Sequence, residues 1–577
     1  MILQALKTYY DRAATNDEGV ATEGFQQQEI PFLIILNRNG QFVDIQDTRH
    51  GEGKKKTGRS FYVPKAVKKT SGIAANLLWD VPTYVVGRPK PNLKNKDQEK
   101  LDERVREQQQ TFLNRIQETF QNTNDDGINA IIQYLEKQDF EALFNHNLWR
   151  EIEDTGSILS FKLESDNTGL ICERQAVVSL LRHSDDGDGE ERGICLMTGE
   201  KDNPVRLHTA IKGVWGAQTS GANIVSFNLK AFTSFGKEQG FNAPVGKRAE
   251  FAYTTALNLL LKKGSRQRLQ VGDASTVFWA EKKHDLENVF ADIFGEPAKD
   301  NPAQDYKALV ALFRAPQIGA QAELDPGTRF YVLGLAPNAA RIAVRFWYEG
   351  TVAQVSDSIY QHFEDCTIVH GPNQPETLSL FRLLVSTATQ GKSENIQPNL
   401  AGDFMRAILT GTPYPKTLLS AAVRRIRAER EITYPRAALL KAVLARESRY
   451  YKHKIKEVDM ALDTSNDNIG YRMGRLFATL EKIQEEASPG INATIRDRFY
   501  GAASSTPVAV FSHLMKLKNH HLSKLVNRGR AINLERLIGE IIDDINDFPS
   551  HLSLADQGRF AVGYYHQRQD FFTKKDQ

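Results

Sequence analysis

Residues 328–347 read TRFYVLGLAPNAARIAVRFW, the last place where strand chemistry governs the chain, and their reading decides the fold. Thr328 to Leu335 and Ala340 to Trp347 are rich in aromatic and β-branched residues around the turn Ala336-Pro337-Asn338, so the spacing predicts a strand pair. Val352 to Phe363 then takes helical spacing. From about Pro372 onward strand signals vanish. Glu376–Thr387, Ala401–Leu409, Lys416–Ile432, Pro435–Tyr450, Ile469–Glu486, Thr506–Asn527 and Ala531–Asp547 all show helical periodicity. The fold expected is α+β: a large mixed α/β region over residues 1–372, followed by an all-α helical bundle over 373–577.

Upstream, the order of elements mixes both types. Met1 to Ala13 spaces Ile2, Leu3, Leu6, Tyr9 and Tyr10 as a helix. Leu33–Leu36 and Gln41–Ile45 flank Asn39-Gly40, a hairpin signal because both turn residues tolerate positive φ. Lys94 to Gln138 is charged and helical, with Val105, Phe112, Ile116 and Phe120 as its apolar stripe. Thr155–Leu163 and Gln175–Leu181 read as two strands or as a strand and a helix. Val225–Phe227 and Ser275–Ala280 read as strands and Arg248–Lys262 as a helix. A linker over Glu296–Asp305 precedes a helix at Tyr306–Leu312. The acidic turn Ser184 to Glu191 resembles a calcium loop superficially, but counting from Asp185 places Leu196 where the bidentate glutamate must stand.

A chain of 577 residues exceeds what one core organises, and its 41% hydrophobic content suffices for two to four domains. There is no run of about 18 apolar residues, and Met1 to Tyr10 carries Gln4 and Lys7, so neither a membrane span nor a secretory signal is expected and the location expected is the cytoplasm. Cys172, Cys195 and Cys366 are too scattered for a disulfide scaffold or zinc ribbon. Net charge is only +3, yet it is segregated. Residues 51–100 hold 12 Lys and Arg against 4 Asp and Glu, residues 201–280 hold 11 against 4, and residues 401–460 hold 13 against 6. The remainder is acidic, and three basic blocks fit one long polyanion.

Motifs for hydrolytic chemistry are missing: the sequence contains no GxxxxGKS/T phosphate loop, no HExxH and no GxSxG. His520 and His521 would diverge by about 100° on a helix, a poor geometry for a shared metal. No catalytic residue, metal or cofactor is therefore expected. Nucleic-acid binding has positive support. Lys54, Lys55, Lys56, Arg59, Lys65, Lys68 and Lys69, and Lys212 within the stretch Lys201 to Arg248, supply candidate phosphate contacts. Asn76, Gln218, Thr219, Ser220 and Asn223 are groups that can discriminate base edges. For Gln218 to Asn223 a turn that satisfies its own backbone is the competing account. The basic segment Lys416 to Arg430, with Arg424, Arg425, Arg427 and Arg430, reads either as a strand-tracking helix or as a solvated face, and Arg436, Lys441, Arg446, Arg449 and Lys452 extend its character.

Several long strings carry a family resemblance: CLMTGE, HTAIKGVWGAQTSGANIVSFN, AFTSFGKEQGFNAPVG and AYTTALN within 193–258, and MILQALKTYY, KKTSGIAANLLWDVPTYVVG, FYVLGLAPNAARIAVRFW and YRMGRLFATLEKIQEEA elsewhere. Together they resemble the large subunit of the CRISPR type I-C Cascade complex, the Cas-eight protein of that subtype, across essentially the whole chain. The resemblance implies a non-catalytic subunit of a crRNA-guided antiviral complex. Such a subunit recognises the protospacer-adjacent motif in target double-stranded DNA, assists duplex opening and recruits the helicase-nuclease. It implies as partners crRNA, the Cascade backbone and crRNA-processing subunits, and a small subunit translated internally from Met460 or Met473, about residues 460–577. By the same resemblance, the basic loop at 49–69 and TSGIAAN ending at Asn76 face the motif duplex. Against it stand a nuclease with a divergent metal site and a purely architectural subunit.

Overall fold

A computed structural model describes the chain except residues 17–19, 52–55, 68–71, 92–97, 167–168, 184–192, 296–326, 398, 454–455, 544 and 574–577. Helix accounts for about 49% and strand for about 15%. The expected acidic turn, the linker and the helix at Tyr306–Leu312 lie outside the described residues. Two compact units form. One comprises Tyr10–Leu207 and Phe227–Ala256, and the other Met1–Tyr9, His208–Ser226 and Leu257–Gln577. The first helix, α1 (Ile2–Thr15), contributes to both ranges.

In the unit built from Tyr10–Leu207 and Phe227–Ala256, β1 (Phe25–Ile30) precedes β2 (Phe32–Leu36), β3 (Phe42–Asp47), β4 (Arg59–Pro64), β5 (Trp79–Asp80) and β6 (Leu159–Leu163). β2 and β3 make the predicted hairpin, with Gly40 at φ 66° and Asn37 Oδ1 accepting from the N–H groups of Asn39 and Gln41. The sheet runs β3-β2-β6-β5, β2 and β6 being parallel with Ile34 opposite Phe161. A parallel pair needs a crossover. α2 (Pro82–Val85), α3 (Gln98–Phe120), α4 (Asp126–Lys137), α5 (Glu141–Phe144) and α6 (Trp149–Thr155) supply it. The predicted long charged helix is thus two, α3 and α4, divided at Asp125, whose side chain caps the second by accepting from Gly127 and Ile128. Phe112, Ile116 and Phe120 are buried in the core as the stripe predicts. α7 (Gln175–His183), the short ladder β7 (Gly193–Ile194) with β8 (Lys201–Asp202), and most of α8 (Lys247–Leu260) complete the unit. β1 and β4 form a separate antiparallel ribbon, Ile30 opposite Arg59.

The other unit centres on an antiparallel sheet ordered β12-β11-β10-β9, from β9 (Arg268–Val271), β10 (Ala274–Ala280), β11 (Arg329–Asn338) and β12 (Arg341–Thr351). The strand pair at 328–347 forms, but its turn is Ala339-Ala340: Ala336, Pro337 and Asn338, expected as the turn, extend β11 opposite Ala343, Ile342 and Arg341. Helices follow in order: α9 (Leu286–Phe294), α10 (Val352–Cys366), α11 (Leu380–Val385), α12 (Leu400–Thr410), α13 (Lys416–Glu429), α14 (Tyr434–Tyr451), α15 (Ile469–Ala487), α16 (Ile495–Ala503), α17 (Val508–Ser523), α18 (Arg528–Ile542) and α19 (Leu554–Phe572). One hydrophobic core runs from Leu269 and Phe278 of the sheet to Tyr565 of α19. The helical region consequently packs with the sheet rather than apart from it. α15 and α19 meet backbone to backbone: a Cβ on Gly474 would lie 2.0 Å from Phe560 O, and one on Gly563 2.2 Å from Tyr471 O. The predicted strand at Val225–Phe227 is absent. The chain there is held instead by isolated bridges, Ile211 with Ala222 and Asn223 with Arg341, which leave no ladder for a strand to join.

Candidate nucleic-acid interface

The basic segment begins on the β1–β4 ribbon. Lys56 and Arg59 are exposed, and the Arg59 guanidinium lies 5.2 Å from the centre of the Phe61 ring. Where β4 ends, the Lys65 N–H donates to Gly24 O (2.8 Å), fixing the point from which the lysine side chain departs. Its Nζ stands 3.7 Å from Glu250 Oε2 and 5.8 Å from the Phe251 ring centre. Glu250 is buried at the start of α8, so it tethers Lys65 from below while the ammonium stays 42% exposed at its side chain. Lys65, Arg206, Phe241, Lys247 and Phe251 line a cleft of about 690 Å³, with Glu23 and Glu250 as its carboxylates. Arg248 lies at its edge, 3.8 Å from Glu23. Gly240 makes this floor possible: its N–H donates to Arg206 O (3.0 Å), and a Cβ there would lie 2.2 Å from Val205 O. Cations outnumber carboxylates on walls that also carry two aromatic rings, a composition suited to phosphate with an adjoining base or sugar.

Asn76 sits differently from the lysines. It is 5% exposed, its Oδ1 accepts from Val67 N–H (3.1 Å) and its own N–H donates to Asp80 Oδ2 (2.9 Å). The side chain therefore pins the segment that follows Lys65. Lys54, Lys55, Lys68 and Lys69 lie outside the described residues.

In the other unit, residues 208–226 form a loop closed by paired hydrogen bonds between Ile211 and Ala222. Lys212, Gln218, Thr219 and Ser220 are exposed, and Gly221 N–H donates to Gln218 O (2.9 Å). Asn223 is half-buried with its Nδ2 donating to His208 O (2.8 Å), so its amide braces the loop. The Lys212 N–H is received by Asn258 Oδ1 (2.7 Å). Both the turn that satisfies its own backbone and the presentation of Gln218 and Ser220 to solvent are present together.

The third basic block is corrected by the structure. Arg424, Arg427 and Arg430 are exposed along and after α13, but Arg436, Lys441 and Arg446 of α14 are buried. Arg436 Nε donates to Ser386 O (2.9 Å), and Lys441 Nζ to Glu364 O and Asp365 O. Arg446 Nε and both Arg449 terminal nitrogens converge on Asp365. Beside them His362, accepting or donating at Nδ1 with Tyr414 OH (2.7 Å), is held neutral: burial first, then Arg446, pushes its pKa down to about 3. Sequence could not assign these cations, because the partner Asp365 lies on α10, remote along the chain.

Among the described residues no group of three or more His, Cys, Asp and Glu is placed to hold a metal ion, and no helix is long and apolar enough to cross a membrane. His520 and His521 have ring centres 5.8 Å apart, and His513 packs near Phe499 instead. The residue that sequence reading passed over is Phe235, 99% exposed in the loop leading to the cleft. Its only signal was an aromatic before glycine in a stretch without apolar periodicity.

No curated protein matches the chain. Residues 6–572 match the family model described as CRISPR-associated protein (Cas_Csd1). With that match covering nearly the whole length, the chain belongs to the Cas_Csd1 family of CRISPR-associated proteins, the large subunits of type I-C Cascade.

Proposed function

We propose that the protein is the non-catalytic subunit of its Cascade that recognises the protospacer-adjacent motif in double-stranded DNA, assists opening of the duplex and recruits the helicase-nuclease. The observation that carries this reading is the cleft of Lys65, Arg206 and Lys247, where a buried glutamate positions one cation and two phenylalanines line the walls. Lysine and arginine there neutralise phosphates without reading sequence, while exposed amide and hydroxyl groups such as Gln218 and Ser220 meet base edges. Asn76 acts in this scheme by holding the Lys65–Val67 segment in place. Guide pairing supplies the remaining sequence recognition, so a short duplex motif suffices for the protein.

The test is binding of reconstituted Cascade to target duplexes with correct and scrambled motifs. Gln218→Ala with Ser220→Ala is expected to erode discrimination between the two duplexes. Lys65→Ala, Arg206→Ala and Lys247→Ala together are expected to weaken both equally. Metal-dependent cleavage by the isolated chain would replace this reading with the nuclease, and unchanged affinity in the triple variant would replace it with the architectural subunit.

A further inference from the structure

The tip of residues 228–238 breaks a local rule. Phe235 and Gly236 have φ of 51° and 70°, the pattern of a type I′ turn, and Lys237 N–H donates to Ser234 O (2.9 Å) to close it. Asparagine, aspartate and glycine are the residues that adopt such a turn without strain, whereas a bulky side chain at positive φ is an outlier. The phenylalanine makes no return on this strain inside the protein, since its ring is 99% exposed. The backbone of the turn is nonetheless held by a side chain. Asn242 Oδ1 accepts from Ser234 N–H (2.9 Å), and its Nδ2 donates to Lys237 O (3.0 Å) and Gln239 O (2.9 Å), clasping both sides. At the base of the loop Phe227 and Phe232 pack edge to face, 6.4 Å between centres.

Strain, full exposure and a clamped backbone together present one flat ring to solvent at the tip of the loop. Observed outliers of this kind mark functional positions. Two further facts identify what the ring meets. Lys230 and Lys237 are exposed on either side of it. The same loop continues through Gly240 and Phe241 into the wall of the basic cleft. The same loop also exposes Leu229 (54%) and Glu238, but one ring and one aliphatic side chain make too small an apolar area for a protein interface, which takes a contiguous patch, whereas the ring matches the face of one nucleobase. We infer that Phe235 is a stacking residue, receiving on its ring an unpaired base of the DNA whose phosphates occupy the Lys65–Arg206–Lys247 cleft. This rests on the nucleic-acid reading of that cleft. The stacking is indifferent to base identity, because every base presents a π face, so Phe235 contributes affinity for opened DNA rather than motif selectivity.

The test uses the reconstituted complex. Phe235→p-benzoylphenylalanine, irradiated on target duplex, is expected to cross-link to one nucleotide. Removing that base, leaving an abasic site, is expected to weaken binding by on the order of tenfold, as is Phe235→Asn, and the two together no more than either alone. Phe235→Asn installs the Asn-Gly pair that this turn favours, so its thermal midpoint is expected to equal or exceed that of the wild type, separating lost binding from lost folding. A cross-link to a partner polypeptide, no cross-link, or fully additive losses would overturn the assignment. The cleft is scored separately: if Lys65→Ala, Arg206→Ala and Lys247→Ala leave affinity and salt dependence unchanged, the cleft reading falls, while the cross-link and the abasic cycle still decide Phe235.

Discussion

Residues 201–280 and 401–460 carry the same excess of positive charge, but in the second block Arg436, Lys441 and Arg446 are buried although Arg424, Arg427 and Arg430 stay exposed. Around the first, Lys212 and Arg206 face solvent and Lys247 lines an open cleft. In the second, Arg446 is 1% exposed and locked with Arg449 onto a single carboxylate, Asp365. A charge excess in sequence therefore does not establish a basic surface. Exposed cations leave stability alone and are available to a polyanion, whereas buried ones join helices that are distant in sequence and have no charge left to offer. Substitutions should separate the two regions cleanly.

The largest effect is expected at Asp365. Asp365→Ala leaves Arg446 buried without its counter-charge and should cost about 3–5 kcal/mol, read as a drop in denaturant midpoint. Loss of less than about 1 kcal/mol would mean that the cluster is hydrated. Acidification comes next. Burial pushes His362 down to about 3 and His566 down to about 4, against an ordinary 6.5. The unfolded chain then binds more protons, so the contribution is complete above pH 6.5 and is lost as pH falls from there toward about 4 for His566 and about 3 for His362. Each histidine should remove about 2 kcal/mol between pH 6.5 and about pH 5, and His362→Gln should flatten the stability profile over that range. In the exposed region the same measurements should barely move. Arg206→Ala and Lys247→Ala are each expected within about 0.5 kcal/mol of wild type in stability, while the slope of log affinity against log salt falls by about 0.9 for each phosphate no longer neutralised. A triple variant that unfolds instead would erase the contrast.

The smallest structural effect concerns the internal start that the family resemblance implies. Met460 is 50% exposed before α15, whereas Met473 is fully buried within it. A product starting at Met473 would lack Asn468, whose Oδ1 caps α15 by accepting from Tyr471 N–H, and Gly470, which meets Asp556 O in the α19 crossing. We propose Met460 as the start: Met460→Ile should abolish the short band on a blot and Met473→Ile should retain it, with little change in the stability of the full chain.

Legibility followed local chemistry. The hairpin at Asn39-Gly40, the strand pair at 328–347 and the amphipathic helices of the C-terminal region could be read because their pattern of apolar and turn residues is complete within a few residues. α19 was not foreseen. Its residues from Gly558 to Gln567 are buried on every face, which removes the polar stripe that reveals a helix, and Gly558 and Gly563 lower its intrinsic propensity. Gly563 is there for the contact with α15, where a Cβ would lie 2.2 Å from Tyr471 O, and Gly558 faces Leu419 of α13 and Leu444 of α14. The candidate site divides along the same line. Lysine density pointed to the segment holding Lys56, Arg59 and Lys65 and to the stretch Lys201 to Arg248, but singling out Arg206, Lys247 and Phe235 needed coordinates, and Asn76 turned out to face inward.

By itself, then, the sequence determined the family, the α+β order of elements and the places where short-range periodicity or turn chemistry acts, since each depends on neighbours along the chain. Only tertiary structure decided which cations are exposed, that the helices and the four-stranded sheet share one core, and that a phenylalanine stands alone at the tip of a clamped turn. Burial and charge pairing depend on residues brought close by packing, and no local pattern encodes which ones those are.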